Sequence, residues 1–205
     1  NDAFPKARAA ALRAIDLDSA IAEPHATLGY VAMYYAWDWV AADSEYRRAL
    51  AINPRYPTAH EWYGLFLAAM GRFDEAQAEE RRALEIDPLS LGIASTAGWV
   101  LHYSGKQADA ERQLRIAVRT DSTFPVAQLY LGRVLQFNGQ LDSALAHFAA
   151  TGPLRTWVPT IAGEGYVYAQ QGRRDRAQAV LTPTTTPGTP SAARCCVLSL
   201  IRGSN

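Results

Sequence analysis

Small and apolar residues follow helical spacing along most of the chain, in segments that end at glycine or proline. In the segment after Gly71, one helix face would carry Phe73, Ala76, Ala83 and Leu84. Asp87-Pro88 ends this segment, because proline cannot continue a helix. Gly71 itself suits the positive φ that closes a preceding helix. The pattern therefore predicts a helix over 74–86, with another helix ending just before it.

The turn glycines and helix alanines return at a fixed interval. Gly71, Gly105 and Gly139 are 34 residues apart, and Gly172 follows after 33. Each is followed five residues later by an alanine: Ala76, Ala110, Ala144 and Ala177. A second series runs seven residues ahead of the first: Gly64, Gly98, Gly132 and Gly165. An earlier unit around Gly29 fits if its turn, near 35–38, holds one extra residue.

Glycine facing alanine lets two antiparallel helices approach closely, so the repeat predicts stacked helix hairpins. The expected pairs are 22–35 with 40–53, 57–70 with 74–86, 91–104 with 108–120, 125–138 with 142–150, and 158–171 with 174–181. Residues 1–21 match only the second half of a unit. We therefore expect an N-terminal half repeat over 1–21, five hairpins over 22–181, and a Pro/Thr-rich, low-complexity tail over 182–205.

The repeat resembles the tetratricopeptide repeat (TPR), whose 34-residue signature is W-x-x-L-G-x-x-Y, A-x-x-x-F, Ala and Pro. One unit reads His60, Tyr63, Gly64, Leu67, Ala76, Glu80, Ala83 and Pro88. The departures are the missing Trp, filled by His25 and His60 in two units, the acidic Glu80 and Glu164 at apolar positions, and Gly152-Pro153, which shortens the fourth unit. The resemblance implies an all-α fold, a right-handed superhelix of antiparallel hairpins.

In that family the first helix of each pair lines a concave groove that holds a peptide or helix of a partner. Carried over position by position, the resemblance implies these groove residues: Tyr30, Tyr34, Leu65, Trp99, Tyr103, Arg133, Phe137 and Tyr166. The alternative is that several of these aromatics only pack between successive repeats. The Lys, Asn and Arg that clamp a C-terminal carboxylate in some TPR domains are absent, which favours an apolar or helical ligand.

A narrower resemblance rests on the run Tyr35-Ala36-Trp37-Asp38-Trp39 and the Arg-Arg-Ala-Leu segment that follows it. It is similar to TPR regions at the C-termini of bacterial multidomain regulators. This resemblance implies that any catalysis belongs to domains outside this chain, and it suggests a cytoplasmic protein.

Charge and composition exclude several classes of partner. Twenty Lys+Arg balance twenty Asp+Glu over 205 residues, and the pI is near 7.1. Nucleic-acid binding is not expected, because phosphate contacts require a basic surface. No apolar stretch approaches the roughly 18 residues of a membrane-spanning helix, so no membrane partner is expected. The two cysteines, Cys195 and Cys196, are adjacent and are interpreted as free thiols.

Candidate chemistry is sparse in the sequence. The four histidines are too scattered for a zinc site, and no phosphate-binding or nucleophile motif occurs. We expect no catalytic residues, metal or cofactor. Glu45 and Glu79 precede Arg48 and Arg82 by three residues and are interpreted as exposed ion pairs that serve solubility.

The sequence therefore predicts a non-catalytic scaffold for a protein or peptide partner. Two alternatives remain: self-association through exposed terminal repeats, and a regulatory domain that senses a small molecule. For the tail, we hypothesise that 196–201 docks on an apolar surface of this chain or of a neighbouring molecule. Deleting 182–205 without any change in oligomer size or melting temperature would contradict that hypothesis.

Overall fold

The computed structural model describes residues 2–181, which contain helices and turns and no strand. Two compact units are present, Asn1–Lys106 and Gln107–Asn205. The tail, with the proposed docking segment 196–201 and with Cys195 and Cys196, lies outside the described residues. Within the described range the limits of the observed helices match the predicted limits closely, apart from the end of the helix predicted over 22–35.

Unit 1 begins with a lone helix, α1 (Ala3–Leu17), which packs on the first hairpin. That hairpin is α2 (Ala22–Val31), a π-helical turn (Ala32–Ala36) and α3 (Trp39–Ile52). The second hairpin is α4 (Pro57–Ala69) with α5 (Phe73–Ile86), and α6 (Leu91–Tyr103) packs against both. The first helices of successive hairpins thus lie side by side, since α4 contacts α2 on one side and α6 on the other.

Unit 2 starts with α7 (Gln107–Thr120), which packs on α8 (Pro125–Phe137). Helix α8 pairs with the short α9 (Leu141–Ala149), after which the chain makes a 3₁₀ turn at Gly152–Leu154. The last hairpin is α10 (Val158–Gln170) with α11 (Arg174–Leu181). Helix α10 contacts both α8 and α9, so the same hairpin stacking holds within this unit.

The turn glycines close their helices through one repeated hydrogen-bond pattern. Gly71, Gly105, Gly139 and Gly172 have φ of 74°, 77°, 76° and 72°. After Gly71, the Arg72 N–H donates to the Leu67 carbonyl at 2.9 Å, and the same bond recurs after the other three glycines. This is the Schellman arrangement, which requires a left-handed residue and so favours glycine.

The first hairpin turn differs, and it absorbs the extra residue that the sequence indicated. A π turn over Ala32–Ala36 widens the helix end, and the Asp38 N–H reaches back to the Ala32 carbonyl at 3.0 Å. Trp37 occupies the left-handed position with φ of 57°, where the other turns have glycine. Asp38 then caps α3 by accepting from the Ala41 N–H at 2.9 Å. One inserted residue therefore changes the turn and leaves the hairpin register intact.

The second glycine series permits close contact between the helices of a hairpin. A Cβ placed on Gly29 would lie 2.9 Å from two atoms of the Tyr46 ring, and one on Gly64 would lie 2.7 Å from Glu80 Oε1. Each glycine thus faces the large side chain of the A-x-x-x-F position on the second helix. The spacing of these two hairpins depends on the missing side chain.

We expect Gly132→Ala to lower the free energy of unfolding by about 1–3 kcal/mol, as overpacked cores do. Its Cβ would lie 2.7 and 2.8 Å from ring atoms of the fully buried Phe148. Without this clash, alanine would stabilise a helix relative to glycine by about 1 kcal/mol. Adding Phe148→Leu, the residue type of Leu114 one repeat earlier, should recover most of the loss. Urea unfolding of both variants checks this, and a neutral Gly132→Ala would contradict it.

A polar pair also joins the two helices of several hairpins. Nδ1 of His25 lies 2.7 Å from Glu45 Oε2, and Nδ1 of His60 lies 2.6 Å from Glu79 Oε2. In unit 2 the same positions hold Gln128 and His147, joined at 2.6 Å.

These pairs correct one interpretation of the sequence. Glu79 is buried and binds His60 as well as Arg82, so it is not a surface residue that serves solubility. The predicted ion pair between Glu79 and Arg82 is present, but the exposure predicted for Glu79 is wrong, because the hairpin partner covers its carboxyl group. His60 is buried in the place of the family's Trp.

Candidate functional site

The first helices of unit 1 carry a row of aromatic side chains, which we call the aromatic face. It comprises Tyr30, Tyr34, Trp62, Trp99 and Tyr103. Tyr30 lies on α2, Tyr34 on the π turn, Trp62 on α4, and the other two on α6. Because α2, α4 and α6 are neighbours, residues far apart in sequence share this face.

Ring contacts hold the two ends of the aromatic face. The Tyr30 ring centroid lies 4.5 Å from that of Tyr34 and 4.8 Å from that of Trp62. On α6, the Trp99 ring lies 4.9 Å from the Tyr103 ring, edge to face. Tyr34 and Tyr103 remain 42% and 54% exposed, so each presents an open ring surface to solvent. The rings are thus ordered by their neighbours and still accessible to a ligand.

The phenol groups of the face and a neighbouring carboxyl group influence the pKa of Tyr34. Burial raises the pKa of Tyr34 to about 12, and Tyr30, Tyr103 and Glu61 act in the same direction. Glu61 is half-buried on α4 and accepts a hydrogen bond from Thr96 Oγ1 at 2.7 Å. Burial raises the pKa of the Glu61 carboxyl group, against the lowering effect of the bond from Thr96. A carboxyl group therefore lies among the phenol groups of the face.

Leu65 and Trp62 are both half-buried on α4. Leu65, expected in the groove, is half-buried and packs against the core cluster around Phe66 and Leu67. Trp62 was not among the expected residues, yet its ring contacts Tyr30. It falls outside the family's groove positions, so only its size and aromatic character could have drawn attention to it.

The remaining three sequence candidates lie in unit 2. Arg133 is half-buried on α8, and Phe137, at the end of the same helix, is 68% exposed. Tyr166 is half-buried on α10, and its hydroxyl accepts a hydrogen bond from Gln170 Nε2 at 3.2 Å. Phe137 is therefore the most open apolar side chain of this group.

Residues 2–181 meet the requirements of neither a metal site nor a membrane-spanning helix. No cluster of three or more His, Cys, Asp or Glu side chains that could hold a metal ion occurs among the described residues. Among the helices within 2–181, none is both long and apolar enough to cross a bilayer. The arrangement that stands out chemically in unit 1 is thus the aromatic face with its embedded carboxyl group.

The sequence of the chain matches known repeat profiles. Two profiles described as tetratricopeptide repeat match it, one over residues 34–90 and the other over 125–150 and 162–181. The first match lies within unit 1 and the second within unit 2. Together they cover helices from both units.

Solved structures give the same fold. The chain superposes on TTC0263, a TPR protein of Thermus thermophilus, with a TM-score of 0.77 and 21% identity over 88% of this chain and 99% of that one. A TPR protein from Parabacteroides merdae superposes with a TM-score of 0.79 and 14% identity, over 97% of this chain and 78% of that one. YrrB, described as a TPR protein with an unusual peptide-binding site, superposes with a TM-score of 0.53 and 23% identity, over 84% of this chain and 89% of that one.

At these identities the structural likeness establishes the fold and nothing more specific. The all-α TPR solenoid class predicted from the glycine and alanine series is confirmed. The sequence profiles, the turn glycines and the stacked hairpins all agree. The chain therefore belongs to the tetratricopeptide repeat family.

Proposed function

We propose that this protein is a non-catalytic interaction scaffold that binds a peptide or helical segment of a partner protein. In unit 1, the binding surface is the aromatic face, with Tyr34 and Tyr103 as its accessible centre. Tyrosine and tryptophan bury large areas with few rotatable bonds, and they dominate the energetics of many protein interfaces. Leu65, which is half-buried on α4, contributes indirectly, by packing against the core of unit 1.

The observation that carries this proposal is the exposure of Tyr34 and Tyr103 on the face that the stacked first helices α2, α4 and α6 form. The two residues are 42% and 54% exposed, whereas a tyrosine that only packed between repeats would be largely covered. These rings come from positions nearly 70 residues apart in sequence and form an open apolar surface on an ordered framework. Surfaces of this kind mark binding sites in soluble proteins.

The fold relatives are compatible with this role. YrrB is described by its peptide-binding site, and Cut9 is found in a hetero-tetramer with Hcn1. In unit 2 we assign peptide contact to Arg133, Phe137 and Tyr166. Arg133 would supply a cation there, and Phe137 an exposed aromatic ring.

The test is a selection of random peptides on the purified chain, followed by measurement of their affinities. For peptides that bind unit 1, the double variant Tyr34→Ala/Tyr103→Ala should weaken binding about tenfold or more, as expected for aromatic hot spots. Circular dichroism should show unchanged helix content, because both side chains are about half exposed.

The matched control removes exposed apolar surface elsewhere on unit 1. Val40 and Leu89 are 83% and 88% exposed and lie outside the aromatic face. The double variant Val40→Ser/Leu89→Ser should bind the selected peptides as well as the wild type does. Equal affinity of the aromatic variant and the wild type would contradict the proposed function, as would an equal loss in the control.

A further inference from the structure

The aromatic face contains a carboxyl group whose hydrogen-bond partner is neutral. Glu61 lies on α4, next in sequence to Trp62, whose ring centroid is 4.8 Å from that of Tyr30 on α2. Its carboxyl group acts to raise the pKa of both Tyr30 and Tyr34. Its hydrogen-bond partner from α6 is the hydroxyl of Thr96. The groups that interact with it are thus phenols, a hydroxyl and the carboxyl group of Glu80.

Two buried polar groups beneath this face lack hydrogen-bond partners within the described part of the chain. Both carboxyl oxygens of Glu80 are unpaired, and the residue is 2% exposed. The hydroxyl of Tyr46 is also buried and unpaired. Glu80 interacts electrostatically with Glu61, and Tyr46 with Tyr30 and Tyr34. Unpaired buried polar groups are rare in folded proteins and call for an explanation.

Several basic side chains of unit 1 have other partners. Arg47 and Arg72 bind Asp43, and Arg72 also binds Glu75. Arg82 binds Glu79, and Lys106 donates to Gln77 at 2.6 Å. None of these pairs includes Glu61 or Glu80. Glu61 therefore has no cationic partner among these pairs, and a basic ligand can complement its carboxyl group.

We infer that the aromatic face binds a basic peptide segment, with an arginine or lysine side chain held against the open rings of Tyr34 and Tyr103 and paired with Glu61. This inference rests on the proposed function, because it names the chemistry of the ligand at the same face. Cations are attracted to the faces of Trp and Tyr rings, and more strongly where water is excluded. A bound cation would also favour the ionised form of Glu80.

The experiment compares two chemically identical substitutions at different places in unit 1. Glu61→Gln keeps the shape of the side chain and an oxygen that can accept from Thr96, but removes the charge. Glu85→Gln makes the same change in net charge at an exposed site on α5. A phage library of random nonapeptides is selected on the full chain and on both variants. The enriched peptides are then synthesised with arginine or with neutral citrulline at the basic position.

We expect wild type and Glu85→Gln to enrich arginine and lysine, and to bind the arginine peptide at least about fivefold more tightly than the citrulline peptide. In Glu61→Gln this preference should fall to within about twofold. Tyr34→Ala/Tyr103→Ala should weaken both peptides. Thermal melting of each variant verifies that the fold is retained.

The alternative outcomes separate the two levels of the proposal. Peptides that are enriched without basic residues, and that still depend on Tyr34 and Tyr103, would overturn the cation site and leave the peptide-binding role intact. An equal loss in Glu61→Gln and Glu85→Gln would also overturn the cation site, since it would show only a response to net charge. A library that yields no binder would overturn both.

Discussion

Replacing His60 with alanine is expected to lower the free energy of unfolding by about 3 kcal/mol or more, the range for a broken buried ion pair. Nδ1 of His60 lies 2.6 Å from Glu79 Oε2, and Nε2 lies 2.9 Å from the Pro54 carbonyl oxygen. The two side chains are 6% and 10% exposed. Without the ring, Glu79 would keep a buried charge with Arg82 as its remaining ion-pair partner. Urea unfolding measures the loss.

His25 provides the matched control for this prediction. It occupies the same position one repeat earlier and binds Glu45 at 2.7 Å, but Glu45 is 31% exposed. Water can therefore solvate the carboxylate that His25→Ala leaves behind, and the expected loss is about 1 kcal/mol or less. Equal losses in the two variants would show that burial of the acid does not decide the effect.

The same pair predicts a dependence on pH. Burial by itself lowers the pKa of His60, but the hydrogen bonds to Glu79 and to the Pro54 carbonyl outweigh it, so the pKa is raised. Both ring nitrogens face acceptors, which suits the protonated ring. A raised pKa in the folded state stabilises the protein fully below about 6.5, and this contribution disappears as pH rises through the raised value. The loss caused by His60→Ala should therefore shrink above about pH 6.5.

Replacing Glu80 with leucine is expected to raise the free energy of unfolding by about 1–3 kcal/mol, the usual cost of an unsatisfied buried polar group. Glu80 is 2% exposed, and neither of its carboxyl oxygens has a hydrogen-bond partner among residues 2–181. Leu114 fills the corresponding position one repeat later and is fully buried, so this position accommodates leucine. Thermal and urea unfolding check the gain, and a destabilised Glu80→Leu would contradict the prediction.

The stabilisation expected from Glu80→Leu should depend on pH. Burial raises the pKa of Glu80 well above its ordinary value, and Glu61 and Glu79 act in the same direction. A carboxyl group with a raised pKa favours the folded state below about pH 4.5, and this contribution is lost as pH rises through the raised value. The advantage of Glu80→Leu should thus be greater at pH 8 than at pH 5. Glu80→Gln, which cannot ionise but stays polar, should gain less than leucine.

Most of the helix limits could be predicted because they depend on local chemistry. Glycine at the left-handed position and proline at the first turn act within a few residues, so Gly71 and Pro57 mark their boundaries in the sequence. The turn of the first hairpin was harder to predict. An extra residue was visible near 35–38, but nothing local indicated that Trp37 would take the left-handed position instead of glycine.

The aromatic face was only partly predictable. Tyr30, Tyr34, Trp99 and Tyr103 follow from the repeat positions, because each hairpin places the same position on the same side. Trp62 does not, since its importance comes from the neighbouring helix that contacts it. Glu61 occupies a groove position, but its hydrogen bond with Thr96 depends on how α4 and α6 stack. Likewise Glu79 resembles a surface residue in sequence and is covered only when His60 packs over it.

By itself, the sequence determined that residues 2–181 form helices of about two to four turns, joined in hairpins at an interval of about 34 residues. It could do so because hydrophobic period and turn geometry are properties of short segments. Only the tertiary structure decided which polar and aromatic groups meet, such as Thr96 with Glu61 across 35 residues. Those contacts depend on how neighbouring hairpins stack, and they determine where a charge stays buried and where a ring stays open.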